Sequence, residues 1–180
     1  RNMPILTFIN KLDHTGREPL EILDEIEQVL SLHVSPMNWP IGSGTDFQGV
    51  YDLQNHQVLL FQRTVRGKFR APVEVKDLYD PLLEETIGAR PYQQLQSDAE
   101  LLAGAGAPFD WDQFLNGTLT PVFFGSALNN FGIEPFLEAL IKLAPSPRPR
   151  ESSIGFIPPV NDTFSGIVFK STTAHLFHIG

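Results

Sequence analysis

Residues 4–13 read Pro4-Ile5-Leu6-Thr7-Phe8-Ile9-Asn10-Lys11-Leu12-Asp13, and this stretch decides the fold of the chain. The apolar run over residues 5–9 predicts a short buried strand, after which polar residues follow at once. A helix is predicted next, with Pro19 suited to its first turn and apolar residues at helical spacing up to Leu30. In open parallel α/β sheets, ligands bind at the carboxyl ends of the strands. The sequence therefore predicts an α/β domain with a binding loop at residues 10–13, here called the Asp13 loop.

A second strand-to-helix junction lies far downstream. Residues 120–125 form another apolar run, which leads into Ser126-Ala127-Leu128. Residues 126–131 are here called the Ser126 loop. Asn129 and Asn130 are expected to cap the helix that follows, because residues 133–141 carry the apolar stripe of an amphipathic helix. In this order the two motifs resemble the GTPase superfamily, in which Asn-Lys-x-Asp reads guanine and a Ser-Ala element follows the next core strand.

The resemblance implies a role for each residue of the two motifs. Asp13 would accept hydrogen bonds from the guanine N1–H and exocyclic amine, because a carboxylate is an acceptor with two oxygens. Adenine lacks that amine and would leave Asp13 desolvated and unpaired, which costs roughly 1–3 kcal/mol or more for a charged group. Asn10 would tie the loop to a neighbouring segment, and the stem of Lys11 would lie along the base. Backbone N–H groups of Ser126-Ala127-Leu128 would meet the guanine O6.

The composition excludes several other classes of protein. The chain has 180 residues, 42% of them hydrophobic, which is enough to build one sizeable domain. There is no Cys, and therefore no disulfide framework or thiolate nucleophile. The net charge of −8 argues against a broad nucleic-acid-binding surface, DNA included, but leaves local contact with RNA or with basic proteins open. No apolar run suggests a membrane span and no signal peptide opens the chain, so a cytoplasmic protein is expected, cut at its amino end close to a core strand.

The stretch between the two motifs is several times longer than the about 30 residues of a strand–helix–strand unit. A structureless loop of that length is implausible, so residues 33–118 are predicted to form an inserted α+β subdomain. Residues 47–53 and 57–62 are predicted to be strands joined by a turn at Gln54-Asn55-His56, with a further strand pair around Arg66-Gly67-Lys68. Short helices are predicted around Leu83, Leu95 and Phe114.

The remaining chain divides into two further segments. Residues 1–145 are assigned to the C-terminal half of a GTPase domain, including the insertion. Residues 146–155 are predicted to be a Pro-rich, extended linker. Residues 156–180 are expected to begin a β-barrel domain, with a strand over residues 164–170.

The chain as a whole resembles the translational GTPases, and among them the release factor 3 family of bacterial class II peptide chain release factors. The resemblance rests on residues 4–13, on Trp39-Pro40-Ile41-Gly42-Ser43-Gly44 with residues 47–51, and on residues 120–132 up to the Pro-rich linker. It implies a partial P-loop GTPase domain with a parallel sheet flanked by helices. It also implies that the full-length protein binds GTP or GDP with Mg²⁺ on the ribosome, and promotes departure of the stop-codon-reading release factors.

The catalytic half of such a GTPase is missing from the sequence. No Gly-x-x-x-x-Gly-Lys-Ser/Thr phosphate loop is present, and no switch element that would hold Mg²⁺ is found, so no catalytic or metal-binding residue is predicted here. Two alternatives remain open. The chain could belong to an elongation factor G-like translocation GTPase, or to a non-hydrolysing module that binds the ribosome or a protein. Trp39 and Trp111 are expected to serve packing.

Overall fold

The computed structural model describes residues 3–61, 73–105, 108–147, 149–152, 155–160, 164 and 166. The chain divides into two compact units, residues 1–144 and residues 145–180. This division lies next to the boundary expected at residue 145, although the identity of the two domains stays a prediction.

The described residues contain nine strands, five α-helices and one 3₁₀ turn. The strands of the chain are β1 (Thr7–Ile9), β2 (His33–Pro36), β3 (Asn38–Ile41), β4 (Gly49–Asp52), β5 (Gln57–Phe61), β6 (Val73–Asp77), β7 (Leu119–Phe124), β8 (Arg150–Ser152) and β9 (Gly155–Ile157). The helices are α1 (Pro19–Leu30), α2 (Leu83–Ile87), α3 (Ala89–Ala105), α4 (Trp111–Leu115) and α5 (Ile133–Leu143), with a 3₁₀ turn at Gly44–Asp46.

A three-stranded parallel sheet organises the first unit. Its order is β1-β7-β2, and all six residues of the central strand β7 are buried. That burial explains the continuous apolar run of β7, since a strand covered on both faces has no polar side. The mixed α/β class with a parallel sheet and helices is therefore confirmed. In α1 the residue Leu23 is buried, but Val29 and Leu30 remain 72% and 50% exposed, so the predicted apolar stripe is only partly covered.

The strand β2 changes the expected limits of the insertion. The insertion was predicted from residue 33, but residues 33–36 pair in parallel with β7 and belong to the main sheet. The sequence hides this strand because it ends in Pro36; β2 lies at the edge of the sheet, where proline is tolerated most readily. The inserted segment therefore begins after Pro36.

The inserted segment contains a four-stranded antiparallel sheet of order β3-β4-β5-β6. The two predicted strands are confirmed as β4 and β5, and the turn between them is fixed by Asp52, whose Oδ1 accepts from the backbone N–H of Gln54 (2.8 Å) and of Asn55 (3.0 Å). Helices α2, α3 and α4 occupy the predicted positions. The strand pair predicted around residues 66–68 lies outside the described residues.

Aromatic contacts join the two sheets into one core. Phe131, at the end of the Ser126 loop, stacks on Phe61 with ring centroids 4.9 Å apart and packs obliquely on Phe47 at 5.9 Å. Trp39 of β3 meets Phe124 of β7 edge-on at 5.6 Å. The inserted sheet is therefore packed directly against the strand and loop that carry the second motif. This is also the packing role expected for Trp39.

The end of the chain differs in two details from expectation. Neither Asn129 nor Asn130 caps α5, although the sequence predicts such a cap. The N-cap residue is Gly132, which has φ 73° and offers no side chain to cap the helix. In the second unit, β8 pairs antiparallel with β9. The strand β8 lies inside the range predicted as an extended linker, residues 146–155, and β9 begins at its last residue. Of the strand predicted over residues 164–170, only residues 164 and 166 are described.

We predict that Phe131→Ala lowers the free energy of unfolding by about 3–5 kcal/mol, because it removes a buried ring and leaves a cavity between the two sheets. Urea denaturation followed by circular dichroism measures the change. Phe156→Ala is the matched control, since that ring is 75% exposed and its loss should change stability by less than about 0.5 kcal/mol. Equal effects of the two substitutions would contradict the shared core.

Candidate functional site

The Asp13 loop leaves the carboxyl end of β1 in a tight turn. Lys11 adopts the left-handed conformation with φ 71°, and its backbone N–H donates to Asn10 Oδ1 at 2.8 Å. The backbone N–H of His14 donates to the Lys11 carbonyl at 2.9 Å and closes the turn. Leu12 is buried beneath the loop, whereas Lys11 is exposed. The loop thus has a defined shape, with Asn10 and Lys11 exposed.

The Ser126 loop is closed by its own backbone. Ser126 and Phe131 form an antiparallel bridge with two N–H to carbonyl bonds of 2.9 Å. Gly125 precedes the bridge at a point of close approach, because a Cβ there would lie 2.4 Å from the Phe131 carbonyl oxygen and 2.8 Å from Phe8 Cζ. Only glycine fits at this position.

Two hydrogen bonds join the two loops, and a third joins the Asp13 loop to Gly125, the residue before the Ser126 loop. Ser126 Oγ donates to Asp13 Oδ1 at 2.6 Å, and the backbone N–H of Ala127 donates to Asn10 Oδ1 at 2.9 Å. The backbone N–H of Leu12 donates to the Gly125 carbonyl at 3.2 Å. The first bond has the short length expected of a hydroxyl that donates to a carboxylate. The structure therefore joins the two motifs, which are far apart in sequence, into one site.

The carboxylate of Asp13 is oriented but still able to accept further bonds. Its side chain is 15% exposed, one oxygen is held by Ser126, and the other lies 3.4 Å from His14 Nε2. A carboxylate has about four lone-pair positions, so capacity remains for a ligand with donors. The arrangement presents an acceptor pair beside the backbone of the Ser126 loop, which is the complement of a planar group with two neighbouring N–H donors.

The predicted site residues are brought together to different degrees. Asn10, Asp13, Ser126 and Ala127 are linked directly by the bonds above. The exposed Lys11 lies in the same loop, and Leu128 lies 65% exposed in the Ser126 loop. Their roles toward a nucleotide stay predictions.

Two neighbours of the site were not anticipated. Asn129, predicted as a helix cap, instead donates from Nδ2 to Ser126 Oγ at 3.2 Å. His14 lies beside the Asp13 carboxylate, with its Nε2 3.4 Å from Asp13 Oδ2. Both contacts are local, because Asn129 lies three positions after Ser126 and His14 directly follows Asp13.

A separate cavity of about 590 Å³ lies between the inserted segment and Ser35 and Pro36 of β2, and none of its lining residues belongs to the site. It is lined partly by Tyr51, whose hydroxyl is hydrogen-bonded to His56 Nδ1 at 3.0 Å. Burial raises the pKa of Tyr51, and the nearby Tyr79, Asp77 and Asp52 raise it further. Among the described residues there is no group of three His, Cys, Asp or Glu placed to hold a metal ion. No helix in that part of the chain has the length and apolar character of a membrane span.

Comparison with known proteins gives a family match over most of the chain. Residues 1–146 match the family described as the elongation factor Tu GTP binding domain. This range contains both the Asp13 loop and the Ser126 loop.

Similar full-length proteins are named peptide chain release factor 3. The protein of Gloeobacter violaceus is 52% identical over 170 residues, that of Acaryochloris marina 51%, and that of Symbiobacterium thermophilum 45%. Each alignment covers 94% of this chain but only 31–32% of the relative, so the chain spans about a third of their length. A crystal structure of a protein from Thermus thermophilus shares the fold with a TM-score of 0.52 at 19% identity, over 81% of this chain and 23% of that one.

We predict that Asn10→Ala makes the backbone amide of Ala127 exchange with solvent roughly five- to tenfold faster, because its acceptor is lost. Hydrogen exchange measured by NMR on this chain gives the rate. Asn10→Asp is the matched control, since it keeps an oxygen at the same position and should retain the protection. An unchanged rate in Asn10→Ala would show that this bond does not hold the loops together.

Proposed function

The chain belongs to the family of the elongation factor Tu GTP-binding domain, and from this premise we propose that its two joined loops bind the guanine base of GTP and GDP. Asp13 accepts from the guanine N1–H and exocyclic amine. Asn10 holds the Ser126 loop in place, and the stem of Lys11 covers one face of the base. The backbone N–H groups of Ser126 and Ala127 already donate to the Phe131 carbonyl and to Asn10 Oδ1, so within residues 126–128 the guanine O6 meets the backbone N–H of Leu128.

The observation that carries this proposal is the bond from Ser126 Oγ to Asp13 Oδ1. It fixes the carboxylate before any ligand arrives, so little orientational freedom is lost when the base binds. A site that presents buried acceptors rejects ligands that lack the matching donors, because its polar groups are then left unpaired. Adenine has an acceptor at N1 and no neighbouring amine. The arrangement therefore selects guanine over adenine.

We further propose that the full-length protein is a translational GTPase of termination. It hydrolyses GTP on the ribosome and promotes departure of the stop-codon-reading release factors. The names of relatives that are 45–52% identical to this chain support this assignment. In this proposal the phosphate loop, the switch elements and the Mg²⁺ ligands come from parts of the protein outside these 180 residues, and the protein acts in the cytoplasm.

The decisive substitution is Asp13→Asn in the full-length protein. An amide at this position offers a donor to the carbonyl that xanthine carries in place of the guanine amine, and it no longer matches both guanine donors. We predict that GDP binding weakens by about 100-fold or more, and that xanthosine diphosphate becomes the preferred ligand. Isothermal titration calorimetry with GDP, xanthosine diphosphate and ADP measures the three affinities.

Asp24→Asn is the control for that experiment. It makes the same chemical change at an exposed position of α1 and should leave all three affinities unchanged. Wild-type protein that shows no preference for GDP over ADP would overturn the proposal. It would leave the alternative of a binding module that uses no nucleotide.

A second prediction concerns the isolated chain of 180 residues. We expect no GTP turnover, because phosphoryl transfer depends on groups that position the phosphates and neutralise their charge, and no such motif is present in this sequence. Release of inorganic phosphate from a purified sample is the measurement. The full-length protein with ribosomes is the positive control, and turnover by the isolated chain above background would contradict the prediction.

A further inference from the structure

Asn38 makes an unusual connection between the inserted sheet and the strand of the second motif. It is the first residue of β3 and is only 3% exposed. Its side-chain Oδ1 accepts from the backbone N–H of Phe124 at 2.7 Å, and its Nδ2 donates to the carbonyl of the same residue at 3.2 Å. One side-chain amide thus satisfies both backbone groups of one residue.

The contact lies where β2 stops pairing with β7, and there it satisfies the backbone of the last β7 residue. The strand β2 ends at Pro36, which pairs with Val122, and the backbone of Met37 makes the last bond to β7. Phe124 is the last residue of β7 and is fully buried. Its N–H and carbonyl would otherwise have no partner on that side, and buried backbone groups are costly to leave unpaired. The Asn38 amide therefore replaces a strand residue at the point where the chain enters the Ser126 loop.

The inserted segment reaches the Asp13 loop as well. The backbone N–H of Gly44 donates to the Leu12 carbonyl at 2.8 Å. Gly44 has φ 61°, and a Cβ there would lie 2.8 Å from Thr15 Oγ1 and 3.1 Å from Thr15 N. A larger residue at this position would push the inserted segment away from the loop. The inserted segment therefore contacts both the Asp13 loop, through Gly44 of the 3₁₀ turn, and the end of the strand that leads into the Ser126 loop, through Asn38.

We propose that Asn38 and Gly44 are positioning residues of the guanine site, through which the inserted segment sets the geometry of the two loops. This inference rests on the proposed function of guanine binding. Asn38 fixes the end of β7, and so fixes Ser126, whose hydroxyl orients the Asp13 carboxylate. Gly44 supports the other side of that pair through Leu12. The inserted segment is then a structural part of the base pocket and not only a separate appendage.

The test compares GDP with inosine diphosphate in the full-length protein. The two ligands share phosphates, sugar, N1–H and O6, but inosine diphosphate lacks the exocyclic amine that Asp13 is proposed to read. Displacement of the carboxylate therefore weakens GDP binding more than inosine diphosphate binding. For Asn38→Ala we expect the ratio of the two affinities to fall about tenfold, the loss that corresponds to one hydrogen bond to a charged group.

The matched control is Leu95→Ala, which truncates a buried side chain of α3 in the same inserted segment. It lowers stability without removing a hydrogen bond to either loop. Loss of stability alone lowers both affinities in proportion, so this variant should keep the wild-type ratio. Gly44→Ala is the second test variant and should lower the ratio as Asn38→Ala does. If Asn38→Ala does not fold, Gly44→Ala decides the test alone.

The outcomes separate the inference from the function on which it rests. Wild-type protein that does not prefer GDP over inosine diphosphate would refute the proposed guanine site itself. Wild-type preference that stays unchanged in Asn38→Ala and Gly44→Ala would refute the positioning role and leave the guanine site intact. A fall in the ratio in those two variants, with no fall in Leu95→Ala, would establish it.

Discussion

The hydrogen bond from Ser126 Oγ to Asp13 Oδ1 is the constraint on which the rest of the structure depends. It joins side chains 113 positions apart, at a distance of 2.6 Å. Such a contact is possible only if β1 and β7 lie side by side in parallel, with Ile9 opposite Phe124. At the amino ends of the same strands, the hydroxyls of Thr7 and Thr120 are hydrogen-bonded at 2.9 Å. The register of the two strands is thus fixed at both ends, and the two loops meet as a consequence.

The inserted segment separates β1 from β7 in the sequence, and it stays compatible with their pairing because it forms one core with the main sheet. Closing a loop costs little more entropy as its length doubles, so a long insertion is tolerated when it folds compactly. Here the inserted sheet returns to β7 through Asn38 and to the Ser126 loop through the stacking of Phe61 on Phe131. Packing and hydrogen bonding therefore place the inserted sheet directly beside the site. These contacts support the Ser126 loop and the end of β7 that leads into it.

The sequence predicts those parts of the molecule that are encoded by local patterns. The strand before Asn10, the helix that begins at Pro19 and the hairpin around Gln54 each depend on neighbouring residues, and the structure confirms them. The strand β2 was missed because its identity comes from pairing with β7 and its last residue, Pro36, reads as a breaker. Asn129 was assigned to a cap, yet its partner is the hydroxyl of Ser126. Asn38 carries no local signal at all, because its partner lies 86 positions away. Local patterns indicate which residues can bind a base, whereas the bonds of Asn38 to Phe124 and of Ser126 to Asp13 join residues far apart in the sequence.

The most direct test of this account is a crystal structure of the full-length protein with GDP. If the two joined loops form the base pocket, the Asp13 carboxylate will lie within about 3.2 Å of both guanine N1 and the exocyclic amine nitrogen. The guanine O6 will lie at a similar distance from a backbone nitrogen of residues 126–128, and the bond from Ser126 to Asp13 will be kept. A guanine base bound elsewhere, or bound here with Asp13 turned away from its donors, would contradict the central claim that the two joined loops form the base pocket.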